Sequence, residues 1–503
     1  MIGHGTSASE SWKGLPWKKF RKDLFRLQKR VFKAVQAGDM RKAKSLQKLI
    51  LKSTSSRYVA IRQVTQLNAG KRTAGIDGKA SLSFRERFEL NDLLKSSAKE
   101  WKHQGLRKIP IPKKDGSSRI LKVPTMADRS WQSHVKNAIE PAHEAIFNAR
   151  SYGFRPGRST QDAQKVIFLN LRSMSNGREK RILELDIEKC FDRINHSIIL
   201  RKIIAPSNIK TGILRCLKAG VNPEYPDQGT CQGGVASPLL ANVALNGIEE
   251  IHPSIRYADD MVFFLKPGDD VEKITEDISN FLGQRGLNIS QKKTKLTAAT
   301  DGFNFLGWHF KVQGNGKFRS TPSEENYKAF RRKVKNVVNS SNYGAVEKAK
   351  KLAPIVRGWR NYHRYCKMKG GRHSLFHLQK RAAKVFSKER RITRTACKKL
   401  LDSAFPKVPY SENKHVNVRG AKSPFDGDIV YWSERNSKLY NGPTSTALRR
   451  QAHACGYCKL KMQSDERVQL HHIDGNHHNW KRDNLVALHQ SCHQYTHMRK
   501  SKS

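Results

Sequence analysis

The chain has 503 residues, 37% of them hydrophobic, with 96 Lys plus Arg against 43 Asp plus Glu and a formal net charge of +53. That length suggests several domains rather than one. The charge excess far exceeds what solubility needs and implies a polyanionic partner, with nucleic acid favoured over an anionic membrane surface.

Residues 18–65 read as basic helices, with Leu24, Val31 and Val35 on one apolar stripe and Phe25 and Phe32 beside it. The helical pattern stops near Gly70. IPIPKKDGSSRILKVP, ending at Pro124, reads as two short strands around a polar turn at Asp115-Gly116. Residues 126–147 are expected to be helical. RILELDI (181–187) alternates like a strand, and a helix is expected from near Phe191. SIRYADDMVFFL (254–265) reads as a strand pair with a tight turn at its acidic centre. Residues 269–282 are amphipathic, and FNFLGWHF (303–310) reads as a further strand. Strands and helices alternating in this way predict an α/β core. Beyond Ser320 the chain is basic and helical to about 400, then mixed and rich in Pro, Asn and Ser to about 445. The tail from Arg449 is rich in His and Cys.

Asp259 and Asp260 are adjacent, and Met261, Val262, Phe263 and Phe264 would bury them. Neighbouring buried carboxylates repel and lose hydration, which is costly unless a cation sits between them. Asp186 ends a strand of similar apolar character. If the strands are neighbours, three carboxylates converge on a site for two Mg²⁺, roughly 3.5–4 Å apart, suited to activating a 3′-hydroxyl and a leaving pyrophosphate. Of eight cysteines only Cys455, Cys458 and Cys492 cluster, which fits a reducing compartment with a metal site rather than a disulfide framework. Cys455-x-x-Cys458 and His489-x-x-Cys492 are ligand pairs of equal spacing, suited to a tetrahedral structural Zn²⁺. No apolar run approaches the ~20 residues of a membrane span. The N-terminal stretch lacks the apolar centre of a secretory signal. A cytoplasmic or organellar location is therefore expected.

Six segments resemble, in order, the sequence blocks of reverse transcriptases: SYGFRPGRSTQDA, LDIEKCFDRINH, GTCQGGVASPLLANVALN, YADD, GLNISQKKTKL and FNFLGWHF. LAPIVRGWRNYHRY (352–365) resembles the maturase domain, domain X, of group II intron-encoded proteins. GAKSPFDGDIVYWSERN (420–436) resembles their DNA-contacting segment, although its own pattern shows a loop and a short strand. QLHHID (469–474), Asn484 and Cys492-His493 resemble the HNH endonuclease motif. His489 stands where Cys is common, and His471 where an acidic residue is common.

The resemblance implies a multidomain α/β protein: right-hand polymerase fingers and palm, a helical thumb, and a C-terminal ββα-metal domain. Its parts would be a basic helical extension (1–56), fingers and palm (57–315), thumb and domain X (316–400), a DNA-binding linker (401–447) and an HNH domain with its zinc site (448–503). Asp186, Asp259 and Asp260 would hold Mg²⁺. Lys113 and Arg119 would clamp a dNTP, Phe191 would be the steric gate, and Gln232 with Gly233 and Gly234 would bend close to template or nucleotide. Arg155 and Arg158 would contact template or nucleotide, and Arg357, Trp359, Arg360 and Tyr362 would bind RNA. His472 would be the nuclease's general base, and His471, His493 and His497 would hold its divalent metal. Asn484 would brace the turn. The implied partners are a group II intron RNA, an RNA template and target DNA, with dimerisation left open. A reverse transcriptase of phage defence or diversity generation would usually lack domain X and the HNH tail. A splicing-only RNA binder would not need an intact Asp triad, nor a lone homing nuclease residues 60–400.

Overall fold

The structure is a computed structural model that describes residues 8–97, 100–112, 116, 118–220, 224–368, 373, 375–389, 392–440, 442–462, 467–477 and 479–500. Helices Trp17–Gln36, Met40–Lys52 and Thr54–Arg62 dominate the start. Asp39 and Ser53 cap the second and third, accepting from the backbone N–H of Lys42 and Ser56. Leu24, Val31 and Val35 pack with Leu46 and Ile50, and with Ala138 and Ala142 of helix Met126–Glu144. The boundary expected at 56/57 falls inside the third helix, and Ile61 and Trp12 share the main core. The N-terminal helices therefore share apolar clusters with helix Met126–Glu144 and the main core.

Arg107–Pro112 pairs antiparallel with Ser118–Val123, as expected. Gly116, at φ +83°, lies between them. Lys113 and Asp115 lie outside the described residues.

Where the palm is expected there is a four-stranded antiparallel sheet in the order Ser254–Tyr257, Asp260–Leu265, Arg181–Leu185, Lys295–Ala298. Alternation sends Leu183, Leu185, Met261, Phe263 and Leu265 into one core. It sends Ile182, Ile255, Val262 and Phe264 into another, shared with the thumb. The sheet is thus clamped between two apolar layers, which fixes its register.

FNFLGWHF is not one strand. It reverses at Leu306 (φ +50°) and Gly307 (φ +79°), so Phe303–Phe305 and Trp308–Val312 form a hairpin, joined by Phe318–Pro322. The boundary expected at 315/316 falls in the turn before that third strand. Helices Glu324–Asn339, Ala345–Tyr362, Phe376–Phe386 and Arg394–Ala404 follow. The short strand expected in 420–436 is replaced by a turn at Pro424–Asp426 and a helix, Ile429–Leu439, capped by Asp428. Helix Gly442–Arg450 crosses the boundary expected at 447/448. In the tail, Val468–His472 pairs antiparallel with Leu485–His489, and helix Gln490–Lys500 follows. Among the described residues no helix is long and apolar enough to cross a membrane.

Candidate functional site

Tyr257 pairs directly with Asp260, so Ala258 and Asp259 form the two-residue turn between strands, Ala258 at φ +61°. Leu185 pairs with Met261, which places Asp186 just beyond the same sheet edge. The three aspartates therefore converge on one end of the palm. Asp186 receives Lys293 Nζ on both carboxylate oxygens, each at 3.1 Å. The surrounding protein, then the charges of Asp259 and Asp186, push Asp260 up to about 6, although its side chain keeps access to solvent. Asp259 is raised by burial and by Asp186, while Arg119 and Lys293 oppose the shift. Two carboxylates raised by burial first and then by neighbouring carboxylate charge, beside Asp186, are a donor set a divalent cation relieves. These residues fit Mg²⁺. Their oxygens are not drawn within 4.8 Å of one another as the tail's donor groups are.

The hairpin is held from behind by a buried Arg256. Its Nε donates to Glu249 at 2.6 Å, and its Nη1 to Asn242 Oδ1 at 2.8 Å and to the Ala258 carbonyl at 3.1 Å. Gly153 lies against the turn: a Cβ there would sit 2.3 Å from the Ala258 nitrogen. Sequence reasoning missed Arg256, Glu249, Asn242 and Lys293. Arg256, Asn242 and Lys293 lie inside quoted motifs, but no local pattern shows that Arg256 turns to Glu249 and Asn242 or that Lys293 meets Asp186 across 107 positions.

The other expected residues divide. Arg119 is exposed on its strand and acts electrostatically on Asp259. Phe191 is partly buried against the main core. Gln232 Nε2 donates to Asp192 at 3.2 Å, and its carbonyl accepts from Lys122 N–H at 2.9 Å. A Cβ on Gly233 would sit 3.0 Å from the Lys122 carbonyl, so this bend approaches the fingers hairpin rather than leaving its backbone open.

Five of the residues expected to contact nucleic acid make contacts inside the protein. Arg155 is buried in an ion pair with Glu144, at 2.8 and 3.0 Å, and caps the carbonyls of Asn148 and Ser151. Arg158 donates to the carbonyls of Ala149, Gly420 and Lys422. Trp359 stacks on Phe330 and donates to Asn326, and Arg360 caps Phe405 and Pro406. Tyr362 stacks on Trp308 and donates to the Leu306 carbonyl. The guanidinium donors that meet these carbonyls are committed inside the protein. Of this set Arg357 alone is exposed.

In the tail, Cys455, Cys458, His489 and Cys492 are buried with donor atoms all within 4.8 Å. Hydrogen bonds from Cys458 and Cys492 drive the Cys455 thiol far below its ordinary range. Three free thiols and one imidazole so disposed fit Zn²⁺. His471, His493 and His497 form a second donor group, with His493 and His497 Nε2 3.2 Å apart. Burial and the neighbouring His497, His471 and His477 push His493 down to about 4, so it is neutral at pH 7, as a metal ligand must be. His472 is buried on the adjoining strand. Neither ring nitrogen has a hydrogen-bond partner among the described residues, and His477 and Trp480 meet it edge-on. Asn484 holds the Asp474 loop through both its amide atoms.

Residues 111–310 match the family model described as reverse transcriptase (RNA-dependent DNA polymerase). Residues 12–94 match the N-terminal domain of reverse transcriptase, and 327–401 the group II intron maturase-specific domain. Maturase-like protein 1 of Euglena gracilis is 41% identical over 391 residues, which is 77% of this chain and 85% of the relative. Its namesake in Euglena longa is 38% identical over 393 residues, 78% and 86% of the two chains. Group II intron-encoded protein LtrA of Lactococcus lactis subsp. cremoris is 26% identical over 340 residues, 52% of this chain and 56% of its own. Together these matches show that the chain belongs to the group II intron maturase and reverse transcriptase family.

Proposed function

We propose that this protein copies RNA into DNA at Asp186, Asp259 and Asp260, binds a group II intron RNA to promote its splicing, and cuts target DNA with its tail. The observation that carries the polymerase site is the convergence of Asp186 with the Asp259-Asp260 turn across neighbouring palm strands. The three carboxylates would hold two Mg²⁺, and the chemistry supplied there is activation of a primer 3′-hydroxyl and neutralisation of charge on the departing pyrophosphate. Arg119, exposed and within electrostatic reach of Asp259, would bind the nucleotide's phosphates. Phe191 would exclude a ribose 2′-hydroxyl, and Gln232, tied to Asp192, would border the same pocket. Lys293 balances the charge of Asp186 until metal is bound. Arg357 would contact RNA phosphates from the thumb surface.

The tail's ββα arrangement supports the nuclease reading. His472 would take a proton from the attacking water, its ring nitrogens being uncommitted to hydrogen bonds among the described residues. His471, His493 and His497 would hold the divalent ion, and Cys455, Cys458, His489 and Cys492 a structural zinc. The test is paired. Primer extension on an RNA template should require Asp259. Cleavage of a DNA duplex carrying the intron insertion site should require His472 but not Asp259. Extension by Asp259→Ala equal to wild type would overturn the polymerase reading. Equal cleavage by His472→Ala would overturn the nuclease reading.

A further inference from the structure

The segment expected to contact DNA is seated on the palm by a buried polar network. Asp162 Oδ1 accepts from Arg435 Nη2 at 2.7 Å, from His415 Nε2 at 3.1 Å and from the Val418 N–H at 3.1 Å. The Asp162 and Arg435 side chains are 0% and 3% exposed. Burial alone would raise the Asp162 carboxyl, but the His415 hydrogen bond and the Arg435 charge hold it down at about 2. Arg435 Nη1 also donates to the Gly157 carbonyl at 2.9 Å. Ser423 donates to Glu144 at 3.1 Å, on the carboxylate that pairs with Arg155. Trp432 packs on Gly157 so closely that a Cβ there would come within 2.7 Å of its ring.

The chain from 144 to 162 carries this clasp to the metal-ion turn. Arg155 ties Glu144 to the Asn148 and Ser151 carbonyls. The Arg256 N–H donates to the Arg150 carbonyl at 3.0 Å, and the Tyr152 N–H to the Arg256 carbonyl at 2.9 Å. Gly153 then abuts Ala258, with Asn242 Nδ2 donating to its carbonyl at 2.8 Å. The links between Arg435 and the Asp259 turn are buried or part-buried hydrogen bonds and backbone contacts.

We propose that Arg155, Asp162 and Arg435 are positioning residues for polymerisation: segment 415–435, seated on the palm, braces the strand that fixes the Asp259-Asp260 turn. The inference rests on the reading of those aspartates as the polymerase site. A misplacement near 1 Å at a reacting centre costs on the order of 100-fold in rate, so unseating the brace acts on turnover. It leaves the exposed nucleic-acid surface in place.

The test measures kcat and KM for dNTP on a primed RNA template, the Kd for that RNA, and amide hydrogen exchange over 150–162 and 254–262. Arg435→Gln should lower kcat about tenfold or more with RNA Kd within about twofold. It should also speed exchange at the Tyr152 and Arg256 amides. Arg435→Lys should recover part of kcat. Ser423→Ala, a milder cut in the same network, should shift both readouts in the same direction, and it serves if Arg435→Gln fails to bind RNA. Unchanged kcat and unchanged exchange at the turn in a variant that binds RNA would overturn the brace. Asp259→Ala separates the two readings. If wild type extends no better than Asp259→Ala, the polymerase assignment fails, and the exchange data still decide whether the segment holds the turn.

Discussion

Arg256→Ala is the sharpest probe of what holds the metal-ion turn. Arg256 and Glu249 pair at 2.6 Å with both side chains 0% exposed. Removing the guanidinium leaves Glu249 buried without its counter-charge, a change that costs about 3–5 kcal/mol. It also strands Asn242 Oδ1 and frees the Ala258 carbonyl that anchors the turn. The companion Arg256→Met/Glu249→Leu removes both charges at similar volume and should recover most of that stability. It should not recover activity, because the tether to Ala258 is still missing. Urea unfolding followed by tryptophan fluorescence reads the stability, and primer extension reads the activity. A single variant within about 1 kcal/mol of wild type would refute the reasoning about stability. A double variant with wild-type turnover would refute the tether.

Other outcomes follow from the same geometry. Gly153→Ala puts a methyl into the Ala258 backbone and should cut polymerase turnover while leaving zinc content unchanged, measured by extension and by metal analysis. Asp260, raised to about 6 without metal, must be charged to hold Mg²⁺. Its protonated form dominates below that pH, so apparent Mg²⁺ affinity should fall by up to about tenfold per pH unit as pH drops below 6. A flat Mg²⁺ titration between pH 7 and 5 would contradict this. Cys455→Ser should lose the zinc bound by the Cys455, Cys458, His489 and Cys492 cluster and expose the tail to protease, while RNA-templated extension persists.

The sequence made the palm legible because its signals are local. Period-2 alternation in 181–187 and 254–265 becomes one sheet buried on both faces, and Ala258-Asp259 becomes its tight turn. The grouping of Cys455, Cys458, His489 and Cys492 was legible for the same reason, each pair lying within four residues. What was not legible depends on partners far away. Arg155, Arg158, Arg360, Trp359 and Tyr362 have the residue types of an RNA surface, yet the arginines each turn donors to internal carbonyls and the two rings stack on Phe330 and Trp308. A sequence shows that an arginine has five donors and not where they point. Arg435 meets Asp162 across 273 positions, so the linker's role as part of the palm had no local signature. The apolar run of FNFLGWHF has the pattern of one strand and masks the reversal at Leu306-Gly307.

Asp186, Asp259 and Asp260 are proposed to form an RNA-templated polymerase site. Primer extension on an RNA template, with Mg²⁺ and dNTPs, tests it most directly when wild type is run beside Asp259→Ala at matched RNA occupancy. Wild type should extend the primer and the variant should fall to background while binding RNA equally well. Extension by both, or by neither, would contradict the claim.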